Sequence, residues 1–164
     1  MRRVDANDAA SICVMAGSYY QGLHGLQQDE GRAIKLYAKA AELGCSKAHY
    51  NLGMLYHERG DLKKAKFHFE AAAMAGDEVA RFNVGSLEAN SRNLKRAMKH
   101  WTIAASAGNY IAMHHFLRLC FENGLVSRES INSTLAAYNA SCAEVRSEAR
   151  DAYIRMYTSN ISAE

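Results

Sequence analysis

The stretch SKAHYNLGMLYHERGDLKKAKFHFEAAAMAG, residues 46–76, carries two apolar stripes separated by a turn. Ala48, Leu52, Leu55 and Tyr56 recur at helical spacing, and so do Leu62, Ala65, Phe69, Ala72 and Ala73. Gly60-Asp61 lies between the stripes and Gly76 follows the second. The segment therefore predicts a helix, a tight turn, a second helix and a stop. A single hairpin of this kind cannot hide both stripes from water, so it needs neighbours built the same way.

Those neighbours are in the sequence. Gly44, Gly76 and Gly108 stand 32 residues apart, and the same step links Ala48, Ala80 and Ala112, then Leu52, Val84 and Phe116, then Leu55, Leu87 and Leu119. The second half of each unit keeps the step through Ala33, Ala65 and Ala97, through Tyr37, Phe69 and Trp101, and through Ala40, Ala72 and Ala104. The first unit is four residues longer between its halves, in the loop 21–29, so Gly17 and Tyr20 match Gly53 and Tyr56 at a step of 36. Gly44, Gly76 and Gly108 suit helix C-termini, with Ser46, Asp77 and Asn109 placed to cap the helices that follow. The inner turns fall at Gly60-Asp61, Ser91-Arg92-Asn93 and Asn123-Gly124.

The expected fold is all-α: a right-handed α-α superhelix, or solenoid, of about four helix-turn-helix repeats closed by a C-terminal capping helix. As one domain over residues 1–164, its repeats cover approximately 9–44, 45–76, 77–108 and 109–141. In the last repeat Ile131, Leu135 and Tyr138 take the places of Ala97, Trp101 and Ala104. Val145, Ala149, Ala152, Tyr153 and Met156 trace the capping helix, approximately 144–158, with a break or a bend at 141–147 both open. Composition agrees. Alanine fills 28 of 164 positions and proline none, so packed helices are favoured and nothing interrupts them.

Several function classes fall away on the same grounds. No apolar run of about 18 residues could span a bilayer, and the N-terminus MRRVDANDAA has no signal-peptide core, so an intracellular, cytoplasmic protein without membrane insertion is expected. Cys13, Cys45, Cys120 and Cys142 form no Cys-x-x-Cys pair and read as reduced, mostly buried thiols. Cys45 and His49 sit at i and i+4, and His114-His115 precede Cys120, but no third or fourth ligand has a defined spacing; no metal and no cofactor are expected. There is no phosphate loop, nucleophile elbow or isolated carboxylate pair, which makes an enzyme the least favoured class. A net charge of +3 is too weak to select a partner.

The strings Ala48-His49-Tyr50-Asn51-Leu52-Gly53-Met54-Leu55-Tyr56 and Ala71-Ala72-Ala73-Met74-Ala75-Gly76-Asp77 resemble the Sel-one-like (Sel1-like) repeat, a relative of the tetratricopeptide repeat. Ala16-Gly17-Ser18-Tyr19-Tyr20-Gln21-Gly22-Leu23-His24-Gly25, followed by Asp29, Ala33, Tyr37, Ala40-Ala41 and Leu43-Gly44, is similar to its long-loop form. The resemblance spans roughly residues 9–124, with Glu88 and Arg92 departing from the pattern where a core tyrosine and a turn glycine are usual. It implies an adaptor that assembles protein complexes, as relatives do in membrane-associated ubiquitin-ligase machinery.

At about 100° per residue, Lys47, Tyr50, Met54 and His57 point away from the Ala48 stripe and should line a concave groove. The 32-residue step carries this ladder to Phe82, Ser86, His114, Arg118 and Phe121, and the 36-residue step back to Val14, Ser18 and Gln21. Aromatic, Met and Arg side chains of this kind are enriched at binding hot spots. The alternative is that Tyr50 and Phe82 pack against a neighbouring first helix or the C-terminal segment.

Two function classes stay open. One is a non-enzymatic scaffold that holds a protein or peptide partner in the groove. The other is a nucleic-acid-binding helical repeat, using Lys63, Lys64, Lys66, Lys95, Arg96 and Lys99 for phosphates and Phe67 or Trp101 for stacking. Trp101 shares the core register of Tyr37 and Phe69, which weighs against stacking. The tail helix also offers a homodimer surface wherever Tyr153, Met156 and Tyr157 are not covered by their own chain.

Overall fold

A computed structural model describes the backbone of residues 8–123 and 127–161 and the side chains of residues 8–119 and 127–144. Among the described residues there are eight helices and no strand: α1 (Ala9–Gln21), α2 (Glu30–Glu42), α3 (Ser46–Glu58), α4 (Leu62–Met74), α5 (Glu78–Asn90), α6 (Leu94–Ser106), α7 (Tyr110–Asn123) and α8 (Arg128–Ile161). The all-α helical-repeat architecture read from the 32-residue step is the one observed. The chain forms two compact units, and the boundary falls within α5, after Leu87.

The helix ends follow one hydrogen-bond scheme. After α2, the N–H groups of Gly44 and Cys45 donate to the carbonyls of Ala41 and Ala40 at 2.9 and 3.0 Å. Gly76 and Asp77 repeat this on Ala73 and Ala72, and Gly108 and Asn109 on Ala105 and Ala104. Gly44, Gly76 and Gly108 all take the left-handed backbone that closes such a cap, with φ of 86°, 96° and 92°. Asp77 and Asn109 cap the following helices, accepting from Ala80 and Ala112 N–H at 2.7 and 2.8 Å. Ser46 does not take the cap role read for it. It is the first helical residue of α3, and the cap position belongs to Cys45, whose side chain makes no cap bond.

In the unit ending at Leu87, α2 lies between α1 and α3 and contacts both. Ile12, Cys13 and Ala16 of α1, Ala33, Tyr37 and Ala40 of α2, and Ala48, Leu52 and Leu55 of α3 form one buried cluster. A second cluster joins Ala65, Phe69, Ala72 and Ala73 of α4 to Ala80, Val84 and Leu87 of α5. Gly53 is the tightest point. A Cβ added there would stand 2.6 Å from the Phe69 ring, closer than atoms can approach.

In the unit starting at Glu88, α6 contacts α7 and α8. Trp101 is 2% exposed, in the core register expected for it, and Phe116 is fully buried. α8 runs as one helix through residues 141–147, with no interruption there. Among its described side chains the buried one is Thr134, at 3% exposure, while Ile131, Leu135 and Tyr138 are half-buried. The contact face is thus turned by about one residue from the aligned register: Ser141 Oγ on this face donates to the Ser106 carbonyl at 2.8 Å. The side chains of Val145, Ala149, Ala152, Tyr153, Met156 and Tyr157, read as the capping and dimer surface, lie outside the described residues.

The two departures of the third repeat are compensated together. Glu88 is 3% exposed, and its carboxylate accepts from Asn93 Nδ2 at 3.0 Å and faces Arg96 at 3.7 Å. Asn93 consequently leaves the start of α6 without a side-chain cap, whereas Asp61 caps α4 through Lys64 N–H at 3.1 Å. Arg92 stands 32 residues after Gly60 and keeps its left-handed backbone, φ 63° against 76°.

A left-handed non-glycine residue costs about 1 kcal/mol. Arg92→Gly should therefore raise unfolding stability by about 0.5 kcal/mol after the extra freedom of glycine in the unfolded chain is counted, as read from urea melts. Gly53→Leu should lower stability by about 1–3 kcal/mol through overpacking. The loss should shrink in a Phe69→Leu background, because the two changes share one space.

Candidate functional site

The groove ladder divides by burial when each unit is taken by itself. In the first, Lys47 and His57 are exposed, while Tyr50, Met54, Phe82 and Ser86 are half-buried. Tyr50 and Met54 pack against the cluster of Ala65, Phe69, Val84 and Leu87, with the Tyr50 ring 6.1 Å from that of Phe69. Met54 Sδ accepts from Asn83 Nδ2 at 4.0 Å, and Ser86 Oγ donates to the Phe82 carbonyl at 3.2 Å. These side chains link α3 to α5 and present only part of their surface to solvent. In the second unit His114 and Arg118 are exposed. The Phe121 side chain lies outside the described residues.

The hollow closest to the expected groove lies between α1 and α3. It is a cleft of about 490 Å³ lined by Val14, Gly17 and Gln21 of α1, by Lys47 and Asn51 of α3, and by Cys13, Tyr37 and Cys45 beneath them. Three ladder residues, Val14, Gln21 and Lys47, come together here. Val14 is 67% exposed, an apolar side chain left on the wall of a concave surface. Ser18, from the same ladder, is instead buried, its hydroxyl against the Val14 carbonyl at 3.2 Å and His24 Nδ1 at 3.1 Å. Gly17 opens the floor: the Tyr37 hydroxyl oxygen lies 3.3 Å from where a Cβ would stand. Burial pushes Tyr37 up to about 12, so its hydroxyl keeps its proton.

Cys13, Asn51 and Tyr37 were not among the expected site residues. Tyr37 carries the core register and Cys13 reads as a buried thiol, and only the missing side chain at Gly17 signals that they face a cavity. A second, more polar hollow of about 650 Å³ follows the long loop, where the Arg32 guanidinium lies 4.5 Å from the centre of the Tyr19 ring.

Between α3 and α4 the rings of His49 and His68 meet Nδ1 to Nδ1 at 3.0 Å. One nitrogen must carry a hydrogen and the other must not. Tyr56 stacks on His68 with centroids 5.5 Å apart, and Lys64 Nζ lies 5.1 Å from the centre of the Tyr56 ring. Burial lowers the pKa of both histidines, and His49 lowers that of His68 further.

The basic residues of α4 and α6 are partly neutralised. Lys64 pairs with Asp61 at 3.1 Å, Lys66 with Glu70 at 3.9 Å and Arg96 with Glu88 at 3.7 Å. Lys63, Lys95 and Lys99 are exposed, and so is Phe67. Among the described residues no group of three or more His, Cys, Asp or Glu gathers to hold a metal, and no helix is long and apolar enough to cross a membrane.

The family model for the Sel1 repeat matches residues 9–45 and 80–109, and a tetratricopeptide repeat model matches residues 46–75. A Sel1 repeat protein from Oxalobacter formigenes is similar in structure, with a TM-score of 0.65 and 24% identity over 82% of this chain and 59% of that one. A protective antigen present in uropathogenic Escherichia coli strains, displaying an SLR fold, is similar with a TM-score of 0.65 and 23% identity over 93% of this chain and 41% of that one. At these identities the likeness concerns the fold, and the chain spans about half the length of these relatives. No curated protein matches the chain.

The histidine pair gives the stability a direction with pH. Both folded values lie below the ordinary value near 6.5, so the unfolded chain binds more protons and stability rises with pH. The contribution is full above about pH 6.5 and is lost as pH falls below it. Melting temperature should drop between pH 7.5 and 5.5, and the double variant His49→Gln/His68→Gln should flatten the drop. His115, lowered by burial and by Arg118 and His114, accounts for a remainder.

Proposed function

We infer that this chain, a Sel1-like repeat protein, works as a non-enzymatic scaffold that holds a protein or peptide partner against its first helices. Helical repeats of this class generally mediate protein–protein interaction, and the matches at residues 9–45, 46–75 and 80–109 place the chain among them. The observation that carries the finer reading is the cleft between α1 and α3, with Val14 two-thirds exposed on its wall. An apolar side chain of a partner would cover Val14 and the floor opened by Gly17. Lys47 supplies a cation, and Gln21 and Asn51 supply amide donors and acceptors, which suits an extended segment with an acidic group beside an apolar one. The exposed Lys47, His57, His114 and Arg118, with the accessible parts of Tyr50, Met54, Phe82 and Ser86, extend the proposed contact surface within each unit.

The nucleic-acid reading has less support. Lys64, Lys66 and Arg96 are engaged by carboxylates, and Trp101 is 2% exposed and out of reach of a base.

Affinity capture from a lysate with the wild type and with Val14→Glu/Lys47→Glu tests the reading. Both side chains are exposed, so the variant should keep its helical circular dichroism. A protein retained by the wild type and lost at least tenfold with the variant is the expected result. A partner held equally by both would move the surface away from this cleft, and RNA retained in a salt-dependent way would favour the nucleic-acid reading.

A further inference from the structure

Cys13 and Cys45 belong to different repeats yet share one cavity wall. Cys13 sits on α1 at 5% exposure; Cys45 precedes α3, is half-buried and packs against the cluster that holds Cys13. Both residues line the α1–α3 cleft of about 490 Å³, and the Cys45 sulfur is near enough to raise the Cys13 thiol. A small reagent can therefore reach sulfurs that are otherwise part of the core. The surroundings are also particular. Asn51 Nδ2 approaches Cys13 Sγ at 3.9 Å, and the Lys47 ammonium favours the thiolate at the same sulfur. Cys45 holds a helix-cap position at which Asp8, Asp29, Asp61, Asp77 and Asn109 each supply a capping oxygen, and its sulfur makes no such bond.

We propose that Cys13 and Cys45 are a dithiol–disulfide site, closed by small-molecule disulfides of the glutathione type and reopened by the corresponding thiols. In the closing reaction the more exposed Cys45, as thiolate, attacks one sulfur of the reagent. The reagent's S–S bond breaks, a Cys45 mixed disulfide forms, and one small thiolate leaves and takes up a proton. Cys13 then gives its proton to solvent and attacks Cys45 Sγ, and the second small thiolate departs and is protonated. Two protein thiols lose two electrons, and the reagent is reduced to two thiols. The bond ties α1 to α3 and closes a loop that contains the whole of α2. Burial and the neighbouring sulfur push the Cys13 thiol up to about 11, so the second step is the slow one near neutrality.

The test uses the wild-type chain under native conditions with excess oxidised glutathione, acid quench, alkylation and tryptic mass spectrometry. The expected product is a disulfide between the peptides of residues 4–32 and 40–47, with two alkylatable thiols lost. A Cys45 mixed disulfide should appear first, and its conversion should speed up about tenfold per pH unit between pH 7 and 9. The oxidised chain should melt roughly 5 °C higher. In Cys13→Ser the reaction should stop at the mixed disulfide on Cys45. Stable glutathione on Cys45 of the wild type, bridging to Cys120 or Cys142 instead, or no reaction at either thiol would each overturn the proposal.

Discussion

The structure depends on helices being allowed to touch almost backbone to backbone. Ala33 and Ala40, Ala65 and Ala72, and Ala97 and Ala104 are all fully buried, one pair on each second helix. A methyl group at these points lets α2 pack closely on both α1 and α3, and the bulkiest buried residue of each second helix falls at one register position. That position holds Tyr37, Phe69 and Trp101. The 32-residue period is the sequence record of this alternation of small and large. It survives because each second helix must fit neighbouring first helices at close range, and packed interiors tolerate neither gaps nor excess volume.

Much of this was legible beforehand for a physical reason. Helix hairpins are specified by local chemistry: the spacing of Ala48, Leu52 and Leu55, the left-handed glycines, the capping oxygens of Asp77 and Asn109. Each signal acts within a few residues of itself. What escaped the sequence depends on which of several local bonds the backbone makes, or on a partner distant in the chain. Ser46 looked like a cap, but the Gly44–Cys45 turn bonds to Ala41 and Ala40 end one residue earlier. Thr134 rather than Leu135 is buried because α8 approaches through small side chains, as the Ser141 to Ser106 bond shows. Arg92 keeps a glycine-like backbone because the turn is held by Arg92 and Asn93 N–H bonds to Ala89 and Glu88, at 2.9 and 2.8 Å.

The candidate site was half legible. Val14, Gln21 and Lys47 were placed by helical angle, which is a property of one helix. The cleft itself is a property of the space between two. Gly17 and Gly53 are equivalent positions with different neighbours: the Phe69 ring fills the space beside Gly53, while Tyr37 brings its hydroxyl to Gly17. One glycine tightens a core and the other opens a floor. The thiols show the same limit. Read along the chain they are isolated cysteines; in three dimensions Cys13 and Cys45 line the same cleft.

The repeated cap bonds after α2, α4 and α6 join residues that are only three or five positions apart. Each junction can therefore form before any distant part of the chain has arrived, and within each unit the contacts that follow join helices adjacent in the chain more than remote ones. Such a chain has a low contact order, which favours fast folding without a long search for remote partners. A hairpin such as α1–α2 could assemble while later residues are still being synthesised, and it would then present α2 as a ready surface for α3.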